Sequence, residues 1–114
     1  MEEKSRIEEL RRWAAEDLLG LTLKDNNYMV PDEKPGHWRV LFLKPDFRPD
    51  DPATGQIWLV VEAMRELGWV LCLNGYTAWF MRPTCFTMPP TTETHVNICR
   101  AILRAAKAAW GDGR

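Results

Sequence analysis

Apolar residues recur at helical spacing in three stretches of the chain. Ile7, Leu10, Ala14 and Leu18 stand 3, 4 and 4 residues apart and draw one stripe, with Glu8, Glu9, Arg11, Arg12 and Glu16 largely outside it. Ser5-Arg6-Ile7-Glu8 has capping-box spacing, which predicts a helix starting at Ser5, and Gly20 supplies its stop. A second stripe, Ile57, Val60, Val61, Met64 and Leu67, follows Asp51-Pro52, an N-cap with proline in the first helical position, and Gly68 closes it. The third stripe comprises Val96, Cys99, Ile102, Leu103, Ala106 and Trp110, with Thr91, Thr92 or Thr94 as its cap.

Between the helices the period changes to two. His37 to Leu43 alternates as a strand, with Trp38, Val40 and Phe42 on one face and His37, Arg39, Leu41 and Leu43 on the other. The preceding segment, Leu21 to Gly36, reads as an edge strand and a loop built on Asp25-Asn26-Asn27 and Pro31 to Gly36. Trp69 to Leu73 is apolar and short enough for a buried strand. Asn74-Gly75 offers the two positive-φ positions of a type I′ turn, so Tyr76 to Met81 folds back antiparallel. The order helix, strand, helix, strand, strand, helix predicts one α+β domain over residues 1–114. Three helices pack on a short mixed or antiparallel sheet in a helix–sheet–helix sandwich. A strand, a returning helix and a strand also predict a parallel pair with a right-handed crossover. That topology gathers the loop after Met81, the start of the third helix and the Pro31 to His37 approach at one end of the sheet. Asn74-Gly75 and the Lys44 to Asp51 loop fall at the other.

Composition narrows the function classes. With 46% hydrophobic and 27% charged residues in 114, the chain is of ordinary globular make-up, and its net charge of -1 gives no global field to concentrate nucleic acid or anionic lipid. The charged start Met1 to Arg6 lacks the order of a secretory signal, and no apolar run nears the ~20 residues that span a bilayer. Three cysteines, Cys72, Cys85 and Cys99, without CxxC spacing, fit a reducing compartment. A cytoplasmic protein binding neither nucleic acid nor membrane is expected.

Reactive chemistry is sparse. Two histidines, His37 and His95, are too few for a metal centre with these cysteines, and Cys85 has no base placed beside it by any motif. Asp46, Asp50 and Asp51 read as solvated turn and cap residues. Phosphate-loop, dinucleotide and nucleophile-elbow motifs are missing, so neither a catalytic residue nor a cofactor is assigned. The richer feature is the start of the third helix, where a positive dipole end and the hydroxyls of Thr91, Thr92 and Thr94 suit an anion. The predicted topology adds Arg82 and His37 there, with Trp38, Tyr76 and Trp79 as stacking faces for a planar base. Six tryptophans are many for this length, and Trp13, Trp58 and Trp110 sit at or off the stripes. Together with two apolar strand faces they predict a homo-oligomer.

Val60 to Trp69, a helix ending in Gly-Trp before a short hairpin, and Thr94 to Leu103, a final helix carrying Ile98-Cys99-Arg100-Ala101, resemble the phage ABA sandwich domain family. The resemblance covers the C-terminal half; Arg48 to Gly55 is longer than the matching segment of the family. It implies a small phage-encoded accessory protein with helix–sheet–helix layering, in a host cytoplasm, and brings no catalytic residues. The expected role is thus a non-catalytic anti-defence sponge that sequesters a small anionic nucleotide-type signal. The alternative is a protein–protein interaction module that inhibits or adapts a host or viral protein.

Overall fold

The computed structural model describes residues 2–82, 92–95 and 97–112. Helix α1 (Glu2–Arg12) runs into a π-helical segment, Trp13–Leu18, and strands β1 (Thr22–Lys24), β2 (Asn27–Pro31) and β3 (Trp38–Leu43) follow. Helix α2 (Ile57–Glu66), strands β4 (Val70–Asn74), β5 (Thr77–Met81) and β6 (Glu93–Thr94), and helix α3 (Ile98–Asp112) complete the order. The fold is mixed α+β with three helices, as expected, but its strands form two antiparallel three-stranded sheets, β1-β2-β3 and β4-β5-β6. The single mixed sheet and the parallel pair are not formed, because β3 and β4 belong to different sheets. The element order also differs from the expected one: the segment between α1 and β3, foreseen as one edge strand and a loop, contributes two strands, β1 and β2.

Local chemistry explains the elements. Helix α1 starts before Ser5, which therefore lies inside it and cannot act as its cap. Its end loosens into π geometry, with the Leu19 N–H bonded to the Ala14 carbonyl at 2.9 Å, and the consecutive Trp13, Ala14 and Ala15 are all buried there. Asp51 does cap, but its carboxylate accepts the Ala53 N–H of a single 3-10 turn, Pro52–Thr54; Gly55, at φ +67°, breaks that turn before α2 begins. Gly68, at φ +93°, ends α2 in a Schellman arrangement: its own N–H meets the Arg65 carbonyl and the Trp69 N–H reaches back to Met64. The buried Met64 and Trp69 supply the apolar contact that accompanies this motif.

The two tight hairpins exchange the expected turn chemistry. β4 and β5 pair antiparallel as predicted, yet Asn74 lies opposite Thr77, so the two-residue loop is Gly75-Tyr76. Only Gly75 has positive φ, +60°, the pattern of a type II′ turn. The type I′ pattern falls instead on Asp25-Asn26, at φ +48° and +65°, between β1 and β2. A bulge also separates Tyr28↔Phe42 from Met29↔Val40, leaving Leu41 as the extra residue of β3. The alternation changes phase there: Trp38, Val40 and Leu43 share a face, whereas Phe42 points to the core side with Tyr28.

Helix α3 is the centre of the molecule. It packs on β5, β6, α2, α1 and the π-helical segment. Ala101, Ala105, Ala106 and Ala109 are buried with Ile102 and Leu103, so it is covered on more sides than one stripe allows. Alanine lets neighbouring backbones approach closely on those flanks. Val96, placed on the predicted stripe, lies outside the described residues.

Candidate functional site

The residues expected to form an anion pocket are spread over both sheets. His37 and Trp38 lie where the β2–β3 hairpin enters β3, and the Lys24 ammonium stands 3.7 Å from the Trp38 ring centroid. Tyr76 is 61% exposed at the tip of the other hairpin. Trp79 pairs with Cys72 within the second sheet, and the Arg82 guanidinium stacks 4.7 Å over Trp69. Thr94 is on β6, its hydroxyl 2.8 Å from that of Thr77, and Thr92 is exposed just before it. Thr91 and Cys85 lie outside the described residues. Neither Thr92 nor Thr94 caps α3: the helix starts at Ile98, and the Asn97 side-chain oxygen accepts the Cys99 and Arg100 N–H groups at 3.0 and 3.3 Å. The dipole end proposed for an anion is thus occupied by the protein's own amide.

Asn97 is one member of a network that binds α1, the loop before α2 and α3 together. Its side-chain N–H donates to the Asp50 carbonyl at 2.7 Å, and its backbone N–H donates to His95 Nδ1 at 2.9 Å. The Asp50 carboxylate receives two bonds from the Arg11 guanidinium, at 2.7 and 3.0 Å. Asp50, a solvated turn residue by its sequence setting, is instead buried, at 4% exposure. Burial alone raises its pKa, but the Arg11 bonds and charge, a backbone N–H and the Arg100 charge outweigh burial and leave the carboxyl below its ordinary range. The Lys44 to Asp51 loop thereby reaches the start of α3, contrary to the expected grouping at opposite ends. Cys99, beside this network, is buried; burial and the nearby Asp50 and Asp51 push its thiol up, which disfavours the thiolate.

On the outward side of Arg11 opens a cleft of about 660 Å³ between α1 and the first sheet. Its cations are Arg11, Arg12, Lys44 and Arg48, and Tyr28 and Phe47 contribute aromatic wall. Glu8 and Glu9 line it from α1 and Asn26 from the type I′ turn. The helix period brings Glu8, Arg11 and Arg12 to one side of α1. The Lys44 N–H, bonded to the Asn26 carbonyl at 2.9 Å, ties the opposite wall to the β1–β2 turn. Gln56 holds the loop from below, accepting the Arg48 N–H at 2.6 Å and donating to the Asp46 carbonyl. Tyr28 and Phe47 meet edge to face, 5.7 Å between centroids. Burial, then the Glu16 charge, push the Tyr28 phenol up against the opposing effect of Arg12.

The charges of this cleft differ in their pairing. Arg11 is matched to Asp50, and Arg12 to Glu16 at 2.8 Å. Lys44 and Arg48 form no ion pair among the described residues; the Arg48 Nε–H bonds the Pro45 carbonyl at 2.9 Å. None of these residues was singled out from the sequence. The sequence signal for the cleft is the pair Lys44 and Arg48, four residues apart around Pro45.

Among the described residues no helix is long and apolar enough to cross a membrane, and no three His, Cys, Asp or Glu side chains converge for a metal ion. No family model, no curated protein and no solved structure matches the chain.

Proposed function

We propose that the chain is a non-catalytic binding protein that holds a small anionic molecule of nucleotide type in the cleft between α1 and the first sheet, withdrawing a signal without converting it. The observation that carries this reading is the pairing state of the cleft: Lys44 and Arg48 line it and meet no carboxylate among the described residues. Phosphate oxygens would satisfy both cations, while Glu8 and Glu9 accept from ribose hydroxyls or base amino groups. The setting, a host cytoplasm in which such a molecule signals infection, follows from the resemblance to the phage ABA sandwich domain family. The helix–sheet–helix layering of that family is proposed on the same resemblance.

A thermal-shift panel of cyclic dinucleotides and ADP-ribose-type nucleotides, with inorganic phosphate as control, tests the proposal. A ligand present at a hundred times its Kd stabilises by ~2.7 kcal/mol, a rise of about 10 °C for a domain of this size. Intact recovery of that ligand after denaturation separates storage from turnover. No rise with any nucleotide sinks the reading.

A second reading, an interaction module that inhibits or adapts a host or viral protein, is favoured by exposed apolar side chains. Trp58, at 60% exposure on α2, is an anchor of the kind that dominates protein interfaces, and Val40 and Leu43, at 47% and 51% on β3, add exposed apolar surface. It predicts a defined partner whose capture is lost on Trp58→Ala and indifferent to nucleotides.

A further inference from the structure

The second sheet ends on one side in β4, which pairs with β5 and with no other described strand. Its backbone groups alternate in direction. The His95 N–H bonds the Tyr76 carbonyl at 3.1 Å, so Tyr76 and, two residues on, Ala78 turn their backbone groups toward β6. Thr77, Trp79 and Met81 therefore face β4 and bond with Asn74, Cys72 and Val70, their register partners. The N–H and C=O groups of Leu71 and Leu73 point away from the sheet, along an edge with no bulge in its five-residue register. β3, the other long edge strand, is interrupted by its bulge at Leu41, a feature that discourages strand addition.

We propose that this edge is the contact between two copies of the chain, whose β4 strands pair antiparallel about a two-fold axis at Cys72 to make one continuous six-stranded sheet. Two features favour a second copy over an unrelated strand. Leu71-Cys72-Leu73 reads the same in both directions, and in this register Leu71 of each copy meets Leu73 of the other, so that all four outward N–H and C=O groups of each strand find partners. β4 also carries no charge, so no like charges are opposed along the seam. The same register sets Val70, 45% exposed, opposite Asn74 of the second copy, and brings Tyr76, 61% exposed, alongside Leu67 and Gly68 of that copy. The contact is independent of the ligand cleft, which lies on α1 and the first sheet.

Cys72 reports the register. It forms a non-hydrogen-bonded pair with its counterpart, whose Cα atoms stand about 4.5 Å apart, within disulfide range. Light scattering on the full chain gives the mass, and mild copper–phenanthroline oxidation of mixed ¹⁴N and ¹⁵N chains, followed by peptide mapping, locates the link. The expected result is a dimer whose dominant interchain disulfide joins Cys72 to Cys72. Cys72→Lys, which sets two ammonium groups face to face on the axis, weakens the dimer at least tenfold, while Val40→Lys on the other sheet leaves it unchanged; circular dichroism confirms that both variants fold. A monomer at hundreds of micromolar, or a dimer linked through other cysteines with Cys72 unreacted, overturns the proposal.

Discussion

Asp50 is the residue on which the packing of α1 against α3 turns. Its carboxylate holds Arg11 in a two-point contact and its carbonyl accepts from Asn97, so one buried residue ties three segments together. Asp50→Asn leaves the guanidinium without its counter-charge and is expected to cost about 3 kcal/mol, read as a lower urea midpoint with unchanged slope. Because the folded carboxyl titrates below its unfolded value, its contribution is complete above the unfolded pKa near 3.8 and is lost as pH falls through the lower folded value. Wild-type stability should therefore drop on acidification below about pH 4 more steeply than that of Asp50→Asn, as urea titrations at several pH values will show. Cys99 is buried with a raised pKa whereas Cys72 is half-exposed, so iodoacetamide at pH 8 should alkylate Cys72 well before Cys99, by peptide mass spectrometry. Equal rates at the two sites would contradict the burial of Cys99.

At the scale of elements, the turns are the most direct test. Asn26 already sits at φ +65°, a conformation that glycine adopts without cost, so Asn26→Gly should leave the melting temperature within a degree or two or raise it. Gly75→Ala forces a Cβ onto φ +60° with nothing within 4 Å to clash with, and should cost about 1 kcal/mol through backbone strain alone. Asn97→Ala removes both the cap of α3 and the bond to Asp50 and should cost about 2 kcal/mol in chemical denaturation. The amphipathic stripes were legible because Ile57, Val60 and Met64 obey a period that only a helix buries on one side, and the second hairpin because glycine marked its turn. What misled was local evidence with two valid outcomes. Asn74-Gly75 suits a type I′ turn, yet the pairing of Asn74 with Thr77 moves the loop by one residue. Threonines before α3 suit a cap, yet Thr94 is drawn into β6 and Asn97 takes that role. Strand phase across Leu41 was illegible, since a bulge leaves no mark in an unbroken apolar run.

The whole molecule is arranged around α3, whose alanines admit α1, α2 and the second sheet, while the first sheet joins the core through Tyr28, Val30 and Phe42 and frames the cleft with α1. The cleft could not be read from the sequence, because Arg12, Lys44 and Arg48 come from segments that tertiary contacts such as the Arg11–Asp50 clamp and the Asn26–Lys44 bond bring together. Its role in binding is most directly tested by titration calorimetry of the nucleotide giving the largest thermal shift, against the wild type and a Lys44→Ala, Arg48→Ala double variant. Each charge-assisted bond to phosphate contributes roughly 1.5–3 kcal/mol, so the double variant should bind at least a hundredfold more weakly while its unfolding midpoint without ligand stays near the wild-type value. Equal affinity of the two proteins, or no heat from the wild type, would contradict a phosphate site between Lys44 and Arg48.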